Sequence, residues 1–264
     1  MKQRLVTGII AGAVYLFLLW VGSVPFAVFA ALIAMLASFE TAVMAGVPRR
    51  SFMSVATALM TALLVLMPAV LLHFPRAVDD VLLRMLALLA LVMVMLPVFR
   101  TGSVRSRTAG YLFFTAFYIG MAFDLLVRLR LNSIVLVLFV QLLIWATDSG
   151  AYFVGRAFGR HKLAPAISPN KTVEGACGGI VGAVAAAGVF QLIAPPFAAP
   201  WLFLPAALLI AVAAQMGDLA ESAIKRQFGV KDSGAVLPGH GGLFDRFDSL
   251  IFTLLVLFLI GFIG

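Results

Sequence analysis

Charge is scarce in this chain of 264 residues: 11% are Asp, Glu, Lys or Arg, while 63% are hydrophobic. A soluble domain carries about 25% charged and roughly 45–50% apolar residues, so these charges are too few to coat a water-soluble globule. Disorder is excluded by the same apolar excess. Cysteine is almost missing. Cys177 stands alone, which excludes a disulfide framework, and within its apolar run it reads as a small packed residue. His73, His161 and His240 are too scattered for a zinc motif. The GxxxxGK[ST] spacing of a P-loop is missing, as is any visible Ser-His-Asp or Cys-His arrangement. There is no internal repeat and no low-complexity tract. An all-α, polytopic integral membrane protein is what remains.

A helix crosses the hydrocarbon core with about 20 mostly apolar residues. Nine such runs are found: Leu5–Trp20, Pro25–Ala45, Phe52–Leu72, Val81–Val98, Gly110–Val127, Ile134–Tyr152, Gly175–Ala194, Trp201–Glu221 and Phe247–Phe262. They are continuous rather than alternating and too long for barrel strands. Lys2 and Arg4 ahead of the first run resemble a signal peptide, but eight more runs follow, so it is expected to be a retained helix.

The formal charge of +8 does not point to nucleic acid, because of its distribution. Lys2, Arg4, Arg49, Arg50, Arg100, Arg105, Arg107, Arg156, Arg160, Lys162, Lys171, Lys225, Arg226, Lys231 and Arg246 all fall on one side of a nine-span chain. Arg76, Arg128 and Arg130 fall in loops on the other, with Arg84 near that end of the fourth run. The positive-inside rule then predicts a cytoplasmic N-terminus, cytoplasmic basic loops and an outside C-terminus, in the cell (inner) membrane.

The two halves differ. Residues 1–130 have short connections and few intramembrane charges, and are expected to be a scaffold of helices with dimer and lipid contacts. Residues 131–264 carry two long polar loops, 155–174 and 222–246, and are expected to be catalytic, since long loops in compact proteins are usually functional. Gly8 and Gly12, Gly175 and Gly179, and Gly178 and Gly182 are four apart, a spacing that favours close helix packing.

Of the 11 carboxylates, Asp148, Glu174, Asp218, Glu221, Asp245 and Asp248 border those loops, and Asp232 lies inside one. Carboxylates near membrane depth are expensive and functional by default. Asp218, Glu221, Ser222 and Lys225 share one helix face by spacing, while Asp148 and Tyr152 are four apart and Asp245 and Asp248 three apart. An isolated interfacial acid is more often a solvated cap or the partner of a nearby Lys, and Glu40 and Asp124 are read that way. The cluster, interleaved with Lys and Arg, fits a divalent cation and a polyanion in one pocket. An oxygen-rich, thiol-free, histidine-poor donor set favours Mg2+. In the loop ISPNKTVEG, Ser168, Lys171 and Thr172 are candidate phosphate donors ahead of a helix N-terminus. In PGHGGLFDRFD, Gly239, Gly241 and Gly242 free the backbone to wrap a ligand, His240 and Arg246 are donors, and Asp245 and Asp248 acceptors.

The stretch Ser222–Ser249, SAIKRQFGVKDSGAVLPGHGGLFDRFDS, resembles the signature of phosphatidate cytidylyltransferases, the CDP-diacylglycerol synthases. Ser222, Lys225, Arg226, Lys231, Asp232, Pro238, Gly239, His240, Gly241, Gly242, Asp245, Arg246 and Asp248 fill its pattern without a gap. Ala146–Gly175 is similar to a second block of that family; Asn170 stands where Lys is also common. The resemblance implies that CTP and phosphatidate give CDP-diacylglycerol and diphosphate, with Mg2+, a neighbouring potassium ion (K+) and a homodimer. It implies Asp218 and Asp245 as leading metal ligands, with Asp248 and Asp148 as further ones. Lys225 and Arg246 would act at the reacting phosphates, and Ser168, Lys171, Thr172, Ser222, Arg226, Lys231, Asp232, His240, Gly241 and Gly242 would bind substrate. A cation-coupled transporter is the rival reading, weakened by polar groups gathered on one side; a scaffold has no use for seven clustered acids.

Overall fold

The computed structural model describes residues 2–73, 84–91, 95, 106–236 and 241–263. The helices are α1 (Lys2–Val21), α2 (Ser23–Met44), α3 (Phe52–His73), α4 (Ser106–Asn132), α5 (Ile134–Phe158), α6 (Val173–Ile193), α7 (Phe203–Gln227) and α8 (Phe244–Leu259). A 3-10 turn, Pro200–Leu202, leads into α7. Residues 84–91 are also helical.

Six segments among the described residues are long and apolar enough to cross a membrane: Ser23–Met44, Phe52–Val70, Ser106–Asn132, Ile134–Phe158, Val173–Ile193 and Pro200–Gln227. The expected multi-pass, helical character therefore holds, with six spans rather than nine identified by length and composition. The first expected span forms α1, whose apolar part is Thr7–Val21, and the last forms α8, with 16 residues. Half of the fourth, Val81–Val98, lies outside the described residues, as do Arg76, Arg100, Arg105, Pro238, Gly239 and His240.

The chain is all-α in class, with one small hairpin that hydropathy does not announce. Lys162–Ala164 (β1) and Ser168–Thr172 (β2) pair antiparallel, with Lys162 opposite Thr172, Ala164 opposite Ser168 and a bulge between. A polar connection must satisfy its backbone groups, and a hairpin does so locally. Pro169 is tolerated because each strand of a two-stranded sheet is an edge. The flanking helices also continue past the apolar runs: α5 reaches Phe158 and α7 reaches Gln227.

Two compact units make up the chain: Met1–Leu131 with Asp232–Arg246, and Asn132–Lys231 with Phe247–Gly264. In the first, small residues line the inner face of α2 (Ala27, Ala30, Ala34, Ala37), and all four are buried. Ala42, Met53, Ala56, Met60, Ala109, Leu112 and Ala116 close a core between α2, α3 and α4. Buried hydroxyls stitch the same helices. Ser38 and Thr61 share a 2.7 Å hydrogen bond, and Thr41 donates to Thr115 at 3.4 Å. In an apolar setting such polar links hold helices at about 0.6 kcal/mol apiece. Arg130 on α4 donates from Nε to the Leu19 carbonyl and from Nη2 to the Trp20 carbonyl, gripping the open end of α1. Gly22 follows with φ 67°, and a Cβ there would sit 2.2 Å from Arg130 Nη2. The dihedral favours glycine at that position, and a Cβ would also displace the guanidinium from its carbonyls.

In the second unit α5 packs chiefly on α6, and α6 on α7. Glycine makes this possible. A Cβ on Gly150 would lie 2.5 Å from the Gly178 carbonyl oxygen, and one on Gly182 2.9 Å from that of Ala146. Gly178 and Gly179 are buried in the same seam, so the expected close packing holds for this group. On α1, by contrast, Gly12 has open space around it. Cys177 is exposed on α6 and not packed as expected. The buried seam of α6 runs through the glycines 175, 178 and 179, leaving Cys177 on another face.

Glu174 fastens the hairpin to α6. Its carboxylate accepts from the backbone N–H of Arg160 (3.0 Å) and of His161 (3.2 Å), and lies 2.6 Å from His161 Nδ1. Thr172 is the N-cap of α6, its Oγ1 accepting from Gly175 N at 3.1 Å. Glu174→Ala is expected to speed amide hydrogen exchange at Arg160 and His161 while leaving exchange in the middle of α6 unchanged, as read by mass spectrometry on the detergent-solubilised chain.

Candidate functional site

The second unit contains a cavity of about 510 Å³ lined by α5, the hairpin, α6 and α7. Asp148, Tyr152 and Arg156 come from one face of α5 at four-residue spacing. Arg156 Nη1 donates to the Tyr152 hydroxyl at 3.1 Å, so the face is a ladder with an acid at one end and a cation at the other. Asn170, Lys171 and Thr172 enter from β2, and Gln215 and Asp218 from α7. Gln215 Nε2 donates to the Ala176 carbonyl at 3.3 Å and to the Ala211 carbonyl at 3.2 Å, tying α7 to α6 beside the cavity.

Asp218 and Lys171 form an ion pair, Oδ2 to Nζ 2.6 Å, and both side chains are partly exposed. Ser222 Oγ donates to Asp218 Oδ1 at 3.4 Å, one turn along α7. On the same helix Lys225 is paired with a buried Glu221. Asp248 is half-buried, accepts from the Ser249 N–H at 2.6 Å, and lies within electrostatic reach of Asp218, Asp148 and Lys225. Two acids of this unit, Asp148 and Asp218, thus act on a third, Asp248. Arg226 turns away, donating to the Val230 carbonyl at 2.9 Å. Lys231 is exposed. Ser168 begins β2 and does not line the cavity.

The first unit carries the remaining acids of the signature. Asp245 folds the glycine-rich loop onto the start of α8. Its Oδ1 and Oδ2 accept from Ser233 N at 3.1 and 3.0 Å, and Oδ2 also accepts from Gly242 N at 2.8 Å. Gly241 has φ 82°, and a Cβ on it would sit 2.9 Å from Asp245 Oδ2. Asp232 and Arg246 are exposed.

Glu40, read from sequence as a solvated cap or a partner of Lys, is neither. It is 1% exposed on α2 and its acceptors meet Ser233 Oγ (3.2 Å), Leu243 N (3.0 Å) and Phe244 N (2.9 Å). A lone acid in the apolar run Phe26–Met44 was the available signal, since a buried carboxylate needs several donors. Asp124 is paired with Arg128 at 2.8 Å, one turn along α4. Arg156 and Gln215 were also missed as cavity residues. Gln215 stands three residues before Asp218 on one helix face, and Arg156 four after Tyr152.

Among the described residues, no three His, Cys, Asp or Glu side chains form a ready-made metal cage. The donor set still fits Mg2+ as that ion is commonly held, by one or two carboxylates plus substrate phosphates. Its oxygens are carboxylate oxygens, and Asp218 and Asp148 both place negative charge against Asp248, a repulsion that a divalent cation relieves.

Residues 2–263 match the model of a family described as the cytidylyltransferase family. The chain is 39% identical over 259 residues to a phosphatidate cytidylyltransferase of Bacillus subtilis, covering 96% of this chain and 95% of that one. It is 37% identical over 254 residues to a protein of the same name from Staphylococcus saprophyticus, and 34% identical over 254 residues to one from Staphylococcus aureus, each match covering 96% of both chains.

Proposed function

The chain belongs to the cytidylyltransferase family, and from that premise we propose that it transfers the cytidylyl group of CTP to phosphatidate, giving CDP-diacylglycerol and diphosphate at the cytoplasmic face of the cell membrane. One observation of the fold supports this most: acids and cations from α5, β2 and α7 surround a single cavity of about 510 Å³, within the 300–1,000 Å³ usual for small-molecule sites.

The chemistry asks little of the protein in proton transfer. A phosphate monoester has its second pKa near 6, so the attacking lipid oxygen is already anionic at neutral pH. That oxygen forms a bond to the α-phosphorus of CTP as the bond to the β-phosphate oxygen breaks, and diphosphate leaves with the electron pair. The obstacle is repulsion between polyanions: two unit charges 4 Å apart interact by about 4 kcal/mol at an effective dielectric near 20. Positioning and neutralisation are therefore the main tasks. Asp218 and Asp245 would be the leading Mg2+ ligands, with Asp248 and Asp148 as further ones, and Arg246 would contact phosphate. Bound there, Mg2+ would supply positive charge to neutralise and orient the phosphates. Lys171 leaves Asp218 for a phosphate oxygen, Arg156 supplies a second cation, and Lys225, Arg226 and Lys231 attract the anionic substrates. Nine spans with a cytoplasmic N-terminus, K+ beside Mg2+ and a homodimer complete the reading.

Purified full-length chain supplied with labelled CTP and phosphatidate is expected to form lipid-linked CMP. Chelation should stop the reaction and added Mg2+ restore it. Uptake of label into sealed vesicles with no lipid product would favour a transporter instead.

A further inference from the structure

We propose that Glu40 is a positioning residue for this reaction: from α2 it holds Ser233 and the backbone of Leu243 and Phe244, and so sets the placement of Asp245 and Arg246 at the head of α8. The proposal rests on the cytidylyltransferase reading for the reaction, but its structural content is independent of it.

Glu40 holds both ends of the loop at once. Its Oε2 meets Ser233 Oγ at the loop's start and Phe244 N at its end, and Oε1 meets Leu243 N. The loop backbone lies directly on the carboxylate: a Cβ added at Gly234 would be 2.6 Å from Glu40 Oε1, and one at Gly242 2.5 Å from Oε2. Asp245 accepts from Ser233 N and Gly242 N. The two acids therefore grip neighbouring groups of one loop, Glu40 from the helix beneath and Asp245 from the loop's own end. If Glu40 loosens, the bonds that orient Asp245 loosen with it.

Packing alone does not account for this choice of residue. The first N–H groups of a helix are usually satisfied by a Ser, Thr, Asp or Asn cap or by water. Here the donors at the start of α8 are met by a residue about two hundred positions earlier, in a helix where a carboxylate is costly. The arrangement ties the loop to the α2–α3–α4 core, whose buried hydroxyl bonds keep α2 in place.

Glu40→Gln keeps the size and one acceptor oxygen but turns an NH2 group toward backbone donors. In the full-length protein it is expected to lower kcat by about 30-fold with KM for CTP and phosphatidate within about threefold, the pattern of a disturbed transition-state arrangement. Amide exchange should accelerate at Gly242, Leu243 and Phe244 but not across α3. Ser233→Ala, which removes one of three bonds, should lower kcat by about threefold. A Glu40→Gln protein with kcat within threefold of wild type, or with faster exchange spread evenly through α2 and α3, overturns the proposal. Glu40→Ala is the harsher variant; if it does not fold, Glu40→Gln and Ser233→Ala still decide. A wild-type chain that makes no CDP-diacylglycerol would sink the assigned reaction, whereas the exchange at Gly242–Phe244 reports on Glu40 in either case.

Discussion

Asp218→Asn is expected to cut turnover by about 10³-fold, the scale at which removing a preorganised electrostatic contact usually registers. Asparagine keeps the shape and one oxygen while losing the charge that a divalent cation requires. The fold should survive. Asp218 and Lys171 are 36% and 23% exposed as side chains, and partly exposed ion pairs contribute about 1 kcal/mol at most. The measurement is lipid-linked CMP formed per folded molecule, with the thermal unfolding midpoint recorded on the same preparation. Activity within tenfold of wild type would remove Asp218 from the metal site. Lys171→Ala separates two roles for the cation: as a phosphate ligand its loss weakens substrate binding, whereas a mere counter-ion of Asp218 could be lost with little effect on KM.

The second large effect concerns the α5–α6 seam. In an exposed helix Gly→Ala stabilises by about 1 kcal/mol. At Gly150 the same change is expected to destabilise by about 3 kcal/mol, because the new methyl would meet the Gly178 carbonyl oxygen at 2.5 Å, and a backbone group cannot swing aside. Gly12→Ala, with open space around the position, should be neutral or slightly stabilising. Thermal midpoints in one detergent give the comparison. Equal effects at the two glycines would mean that α5 and α6 do not approach as closely as described. Since α5 also carries Asp148, Tyr152 and Arg156, activity at Gly150→Ala should fall along with stability.

Much of this was legible in the residues. Hydrophobic runs mark helices because a backbone in lipid must satisfy itself, and α2, α3, α4, α5, α6 and α7 follow those runs. The i, i+4 spacing of Asp148 and Tyr152, and the Asp218–Ser222 and Glu221–Lys225 pairs, were readable because helix geometry converts spacing into proximity. Other features carry no local period. The hairpin at Lys162–Thr172 arises in a polar connection where hydropathy is silent. Lys171 could be read as a phosphate ligand, but its pairing with Asp218 depends on how β2 meets α7. Glu40 was misjudged because its partners, Ser233, Leu243 and Phe244, are distant in sequence. The side chain alone announces an expense, not who meets it.

The grip of Arg130 on α1 has a consequence for biogenesis. The carbonyls of Leu19 and Trp20 are met by a guanidinium encoded 111 and 110 positions later. While the chain is being made, the first helix can already meet α2, with Tyr15 against Phe26 and Phe29, but the carbonyls at its end stay unclasped until Arg130 of α4 has been added. A ribosome stalled before codon 130 should therefore yield a first helix packed on α2 whose last turn lacks its clasp, with faster amide exchange at that end than in the finished chain.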